Sequence, residues 1–315
     1  MNEVSNETRF LHAVEMGLGA WQWGDRIIWS YGQGYSDTDI REAFDSSLDL
    51  GIRFIDTAEV YGTGRSERML GQFLKETDQP VLVATKFFPY PWRFGKGFIP
   101  RALKASLERL GTESVDLYQI HWPSPIFSPE AMMEGMAECV KQGLTRTVGV
   151  SNFGHKRMLR AYSALAQQGI PLASNQVHYS LLSREVEKNG TLARCKELGI
   201  RLIAYSPLEQ GLLTGKYSPQ NPPPGVRGSR YADFLKKLPP VIKTLQEIAQ
   251  NHGKTVSQVA LNWVICKGAL PIPGAKNARQ AQENAGGAGW RMTGDEVAKL
   301  DEVTDTFRPY SNSGD

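Results

Sequence analysis

Asp56, Tyr61, Lys86 and His121 stand out because of where apolar runs stop. Asp56 follows Arg53-Phe54-Ile55, Lys86 follows residues 81–85, and His121 follows residues 115–120; Tyr61 comes just beyond Asp56. An apolar run that ends on an ionisable group marks a strand leaving a packed core for a site. A phenol, an ammonium group, a carboxylate and an imidazole can together deliver a proton to a carbonyl oxygen. The set therefore points to carbonyl reduction. Taken singly, each has a plainer reading: Asp56-Thr57 as a turn former, Tyr61 as a rim aromatic, Lys86 as a solvated lysine, His121 as a satisfied core imidazole. Their recurrence at successive run ends carries the argument.

The elements that must position these groups alternate. Strand patterns fall at residues 14–23 (strand and turn), 53–56, 81–86, 115–121, 147–151, 172–176, 200–205 and 269–272. Helical periodicity fills residues 38–49, 66–75, 100–110, 129–141, 155–168, 186–198, 240–251 and 257–267. Asp37 or Thr38 is the expected cap of the first of these helices, Gly51 its end, and Pro100 starts the third. Closing helices follow at 278–285 and 294–305. Strands separated by helices pair in parallel through right-handed crossovers. Eight such units predict a single (β/α)₈ barrel over residues 1–315, with a long loop around Pro222-Pro223-Pro224-Gly225 and extra helices near the C-terminus. An open doubly wound sheet is the alternative. It is weakened because Gly17 and Gly19 are followed by Gln22, where a dinucleotide fingerprint needs a third glycine. Barrel active sites lie at the carboxyl ends of the strands. Asp56, Lys86, His121, Ser151, Asn152, Gln176, Tyr205 and Ser206 all fall there.

Bulk composition removes other classes. Of 315 residues, 41% are hydrophobic and 22% charged, and the net charge is only +3, which gives no footing for nucleic acid. No apolar stretch approaches the roughly 20 residues of a membrane span. Residues 1–10 are polar and carry Glu3 and Glu7, unlike a signal or transit peptide. Cys139, Cys195 and Cys266 are odd in number and widely spaced, as buried thiols of a reducing, cytoplasmic setting would be. The five histidines form neither His-x-His nor His-Glu-x-x-His, so no metal site is expected.

At this point a resemblance enters. Gly17-Leu18-Gly19-Ala20-Trp21, residues 54–62, Ala84-Thr85-Lys86, residues 116–122, residues 149–153, Asn175-Gln176-Val177, residues 204–208 and residues 272–276 occur in the order seen in the aldo-keto reductases. The chain resembles that family over nearly its whole length. Trp92-Arg93-Phe94-Gly95 and Gly289-Trp290-Arg291 are similar to the branch of photosynthetic organisms that includes pyridoxal-reductase-like proteins. The resemblance implies NADPH-dependent reduction of a small-molecule aldehyde or ketone. It implies Tyr61 as the general acid, Lys86 lowering the phenol's pKa, Asp56 paired with Lys86, and His121 hydrogen-bonded to the carbonyl oxygen. It implies a nicotinamide carboxamide held by Ser151, Asn152 and Gln176, and a ring stacked on Tyr205. Ser206, Leu208 and Gly211 match the pyrophosphate loop, and Lys276, Gln280, Glu283 and Asn284 the adenosine end. Gly19, Ala20, Trp21, Asp56 and Gly274 complete the cofactor set, with Ala20 standing where many members carry Thr. Lys276, with Arg279 close by, puts a cation where a ribose 2′-phosphate would lie, which favours NADP; a charged helix start is the plain alternative. Trp21, Tyr61, Phe87, Trp92, His121 and Trp122 are the expected substrate pocket, although the aromatics 87–94 can equally pack a long loop. A second class also keeps this fold, cofactor and tetrad: redox-sensing subunits with little turnover. No oligomer interface is legible.

Overall fold

A computed structural model describes residues 5–26, 29, 31–93, 97–224 and 226–307. Phe94, Gly95 and Gly225 of the motifs above lie outside the described residues. Eight strands form one sheet in the order β1 to β8, every neighbouring pair parallel. They are β1 Gly17–Gly19, β2 Phe54–Asp56, β3 Leu82–Phe87, β4 Val115–Ile120, β5 Thr145–Ser151, β6 Leu172–His178, β7 Arg201–Tyr205 and β8 Leu270–Ile272. The ring closes beyond the last strand, where the Gly19 amide donates to the Pro273 carbonyl at 3.0 Å. This is the (β/α)₈ barrel expected from the alternating pattern.

Strand parity sorts the side chains. Phe54, Ala84 and Leu117 point inward and form the barrel core with Ile203, Leu270 and Ile272, while Leu11 on the short helix Arg9–Ala13 joins that core. Two residues further along the same faces stand Asp56, Lys86 and Gln119. The outward residues Ile55, Val83, Tyr118, Val148 and Val150 pack in the outer shell with the helices. Parity therefore delivers polar groups to one mouth and apolar groups to the shell.

Several boundaries differ from the sequence expectations. Ser36, not Asp37 or Thr38, caps the helix Asp37–Asp49, in a reciprocal arrangement with Asp39. The helix expected from Pro100 begins at Phe98. The helix expected over 186–198 is two pieces, Glu185–Lys188 and Thr191–Leu198, because Gly190 adopts a φ of 81°. The helix expected from Pro240 instead runs from Ala232 to His252 through Pro239 and Pro240. Phe234, Leu235 and Leu238 extend its buried stripe N-terminally, and that burial outweighs the amides the prolines lack. Among the described residues no helix is long and apolar enough to cross a membrane.

Gly71 on the helix Arg65–Lys75 meets the C-terminal end of the helix Phe98–Leu110. A Cβ there would stand 2.6 Å from the carbonyl oxygens of both Arg109 and Leu110. Gly71→Ala is expected to destabilise the protein despite its better helix propensity. Overpacking against backbone costs about 1–3 kcal/mol, more than the roughly 0.5–1 kcal/mol that Ala gains in a helix. A lowered urea midpoint with unchanged m-value is the reading that checks it.

Candidate active site

Lys86 is the centre of the cluster. Its side chain is wholly buried, and its ammonium donates to Asp56 Oδ1 at 2.5 Å, to the Thr57 carbonyl at 2.8 Å and to the Tyr61 hydroxyl at 3.3 Å. Asp56 Oδ2 accepts from Gln176 Nε2 at 2.8 Å and Gln119 Nε2 at 3.4 Å. Gln119 is held in turn by Ser174 Oγ at 3.1 Å. The Tyr61 ring lies edge-on to His121, centroids 5.6 Å apart, and tilted against Trp21 at 6.3 Å. The main chain fixes His121: its amide donates to the Phe87 carbonyl at 2.8 Å and its carbonyl accepts from Asn152 Nδ2 at 3.0 Å. All four residues that end or follow strands thus meet in one place.

The electrostatics differ from the expectation in one respect. Lys86 was expected to lower the Tyr61 pKa; instead burial first, and the Asp56 carboxylate second, push the phenol well above its usual 10. The Lys86 ammonium opposes that shift, but Asp56 offsets its charge from 2.5 Å away. Burial lowers the Lys86 pKa while Asp56 works to raise it. Burial and then the Lys86 charge hold His121 well below 6.5, so its imidazole is neutral at neutral pH. At that pH the site therefore holds a protonated phenol, a neutral imidazole and a charge-balanced ammonium–carboxylate pair.

A cleft of about 930 Å³ opens over these groups. Gly19, Trp21, Asp56, Ser151, Asn152, Gln176, Tyr205, Ser206, Leu208, Gly211, Gly274, Lys276, Gln280, Glu283 and Asn284 all line it, as do Tyr61, His121 and Trp122. Ala20 does not: it is fully buried, with its amide on the Asp56 carbonyl and its carbonyl taken by Ser66 Oγ. Phe87 does not either. It shares the outward parity of Val83 and packs in the shell, while Phe88, one residue on, lines the cleft 5.8 Å from the His121 ring. Trp92 is 66% exposed and stacks on Tyr90, outside the cleft. Glu59 sets this local path by accepting from the Phe88 amide at 2.6 Å and from Arg93, which also donates to the Phe88 carbonyl at 3.0 Å. A second cavity, of about 870 Å³, lies among outer helices near Arg101, Lys104 and Glu130 and contains none of these groups.

Cations gather at the other end of the cleft. Lys276 donates to the Trp29 carbonyl at 3.2 Å and sits over the Tyr35 ring at 4.3 Å. Burial first, then the charges of Arg227 and Lys216, push its pKa down to about 8. Arg279 lines the same end. Among the described residues none of Lys216, Arg227, Lys276 and Arg279 forms an ion pair with a carboxylate. Such a concentration of like charge is stabilised when a phosphate dianion enters. Near it, Trp29 Nε1 and Gln22 Oε1 are buried without a hydrogen-bond partner among the described residues. A long polar cleft with this cationic end fits a phosphorylated dinucleotide. Lys216 and Arg227 were missed from the sequence because Lys216 lies on the irregular stretch after β7 and Arg227 on the short helix Val226–Arg230 that interrupts it, and no periodicity specifies the path of either. His178, which the sequence did not single out, lines the cleft as well. Its one available signal was its place two residues after Gln176, on the same strand parity.

The chain matches the model of the aldo/keto reductase family over residues 15–305. It is 43% identical over 304 residues to the chloroplastic pyridoxal reductase of Arabidopsis thaliana, an alignment that covers 92% of this chain and 83% of that one. Among solved structures it is similar to an aldo/keto reductase from Klebsiella pneumoniae in complex with NADP and acetate, at 30% identity and a TM-score of 0.73, covering 92% of this chain and 90% of that one. It is also similar to a glycerol dehydrogenase from Gluconobacter oxydans, at 27% identity and a TM-score of 0.81, covering 95% and 94%. The protein belongs to the aldo/keto reductase family and is an oxidoreductase. The likeness to a plant pyridoxal reductase agrees with the photosynthetic branch suggested by the tryptophan motifs.

Proposed function

We propose that the protein is an NADPH-dependent reductase of aldehyde or ketone carbonyls in which Tyr61 is the general acid. One observation carries this reading: a proton-bearing phenol 3.3 Å from a buried ammonium stands in the same cleft as the cluster of Lys216, Arg227, Lys276 and Arg279. When bound, NADPH supplies the hydride that no side chain can furnish. Ser151, Asn152, Gln176 and Tyr205 would hold its nicotinamide end, and Lys276 with Arg279 its 2′-phosphate.

The chain's own residues then divide the remaining work. His121, neutral and braced by its main-chain bonds, hydrogen-bonds the carbonyl oxygen and places it near Tyr61. The high pKa of Tyr61 keeps its proton in place until negative charge grows on that oxygen. As the proton leaves, the phenol oxygen becomes anionic, and the hydrogen bond from Lys86 strengthens at that moment. The interaction thus favours the transition state over the ground state. Asp56 keeps Lys86 charged and aimed. Trp21, Phe88 and Trp122 supply apolar walls that exclude water. Pyridoxal and small aldehydes are the substrates to try first, since the plant relative is a pyridoxal reductase. A cytoplasmic setting belongs to the same reading, with Cys139, Cys195 and Cys266 all free thiols.

The test is NADPH consumption by the full chain with pyridoxal and a panel of aldehydes. Tight cofactor binding without turnover on any of them would turn the reading toward a cofactor-sensing subunit. A second expectation concerns selectivity. Lys276→Ala is expected to weaken NADPH at least about tenfold, as loss of a charge-assisted bond does, while leaving NADH affinity unchanged. Because Lys276 loses its proton near pH 8, the preference of the unaltered protein for NADPH over NADH should decline as pH rises through that value. Fluorescence titrations with both cofactors read both effects.

A further inference from the structure

His178 and Glu209 are titratable groups in the cleft that the reaction above does not use. The His178 ring lies parallel to Tyr205, with centroids 5.4 Å apart and 7° between planes. Its Nε2 is 3.0 Å from Glu209 Oε2, and its Nδ1 is 3.3 Å from Ser183 Oγ. Glu209 is 3% exposed and also accepts from Ser180 Oγ at 2.8 Å and the Tyr231 hydroxyl at 3.3 Å. The Tyr205 hydroxyl is tied to Asn152 Oδ1 at 2.9 Å. Tyr205 is thus braced on one ring face by His178 and at its tip by Asn152.

Glu209 has a second feature. Ser206, Glu209 and Gln210 have φ values of 51°, 47° and 50°, in the left-handed region that costs a side-chain-bearing residue free energy. Three such residues within five positions need an anchor. The anchor present is the Glu209 carboxylate, drawn inward by a histidine and two hydroxyls. The same five positions carry Ser206 and Leu208, which line the cleft.

We propose that His178 and Glu209 are a positioning pair that holds Tyr205 and the strained segment 206–211 in the shape that binds the dinucleotide. The proposal rests on the cofactor reading given above. It has a pH consequence. Burial works to lower the His178 pKa, but Glu209 outweighs it and holds the ring above its usual 6.5, against the opposing charge of Arg230. Ser180, Ser183, Tyr205 and Tyr231 are the other polar groups facing the pair. A raised folded-state pKa means that the attraction is complete at low pH and is lost as pH rises through the His178 titration. Above it, Glu209 is a buried carboxylate without a cationic partner, the segment is held less firmly, and fewer molecules are competent to bind. His178 is 31% exposed toward the cleft, so its proton exchanges freely with solvent.

NADH is the cleaner probe, because it lacks the 2′-phosphate and so does not sense Lys276. The experiment is fluorescence titration of the full chain with NADH, and with NADPH alongside, from about pH 6 to 9, bracketing the histidine range. The unaltered protein is expected to lose affinity for NADH about tenfold through a single step above pH 6.5. His178→Gln and Glu209→Gln, with circular dichroism showing both folded, should bind throughout with the weak, pH-independent affinity that the unaltered protein reaches at high pH. A flat NADH profile for the unaltered protein overturns the inference without any variant. So does a pH step that persists in both variants. Failure of the unaltered protein to bind either cofactor at any pH would remove the cofactor reading itself, a separate outcome from a flat profile or a persisting step.

Discussion

Tyr61→Phe is expected to lower kcat by a factor of about 10²–10⁴ while leaving NADPH affinity unchanged. The factor is that of a positioned general acid, equivalent to about 3–5.5 kcal/mol of barrier. The change removes one oxygen and leaves the ring, which keeps its edge contact with His121 and its tilt against Trp21. Lys86 loses its acceptor at 3.3 Å but retains Asp56 and the Thr57 carbonyl, so the core beneath should not loosen. Neither ionisable neighbour of the phenol replaces it as the acid. His121 is neutral at the operating pH, and Lys86 is buried behind the phenol. Single-turnover kinetics together with cofactor titration separate loss of chemistry from loss of binding. Turnover equal to that of the unaltered enzyme would exclude Tyr61 as the acid.

The largest expected effect on stability comes from Asp56→Asn. Asp56 accepts from three donors: Lys86, Gln176 and Gln119. A carboxamide has one acceptor oxygen, so its NH₂ must face a donor wherever it turns. The variant also leaves an ammonium without the carboxylate that stood 2.5 Å away in a fully buried site, with only the more distant Glu67 to attract it. Breaking a buried pair in this way costs about 3–5 kcal/mol. Adding Lys86→Met should restore part of that loss, since the stranded charge is removed, but no activity. The pH dependence has a definite sign. Without Asp56, burial lowers the folded-state pKa of Lys86 further below the unfolded value of about 10.4. Between those two pKa values the unfolded chain binds the extra proton, so the stability of the variant rises with pH. Denaturant unfolding at neutral pH and at about pH 9.5 should therefore show the deficit shrinking at the higher pH. A deficit independent of pH, or no gain on adding Lys86→Met, would mean that Lys86 is not the source of the loss.

Both experiments turn on groups that were visible in the chain before any fold was known, and the reason is local. In a parallel barrel consecutive strands become neighbours, and alternate residues share a face. A polar residue that ends an apolar run must therefore arrive at the common mouth. Asp56, Lys86 and His121 could be placed by that rule alone, and Ser151, Gln176 and Tyr205 followed by the same logic. Helix boundaries were less secure wherever packing outvoted local signals, as at Pro239 and Pro240, where the buried stripe of Phe234, Leu235 and Leu238 carries the helix through both prolines.

What stayed hidden in the chain is whatever depends on burial or on the path of an irregular segment. Phe87 and Phe88 are chemically identical neighbours; the Glu59–Arg93 pair and strand parity turn one into the shell and the other into the cleft. The direction of the Tyr61 pKa could not be read from having a lysine partner, because desolvation and the Asp56 charge outweigh it. His178 and Glu209 stand 31 positions apart, and their meeting depends on three left-handed residues after β7 that no propensity announces. Periodicity encodes which face a side chain takes. Free energies of charges and of loop closure depend on the surroundings that the whole fold assembles around them.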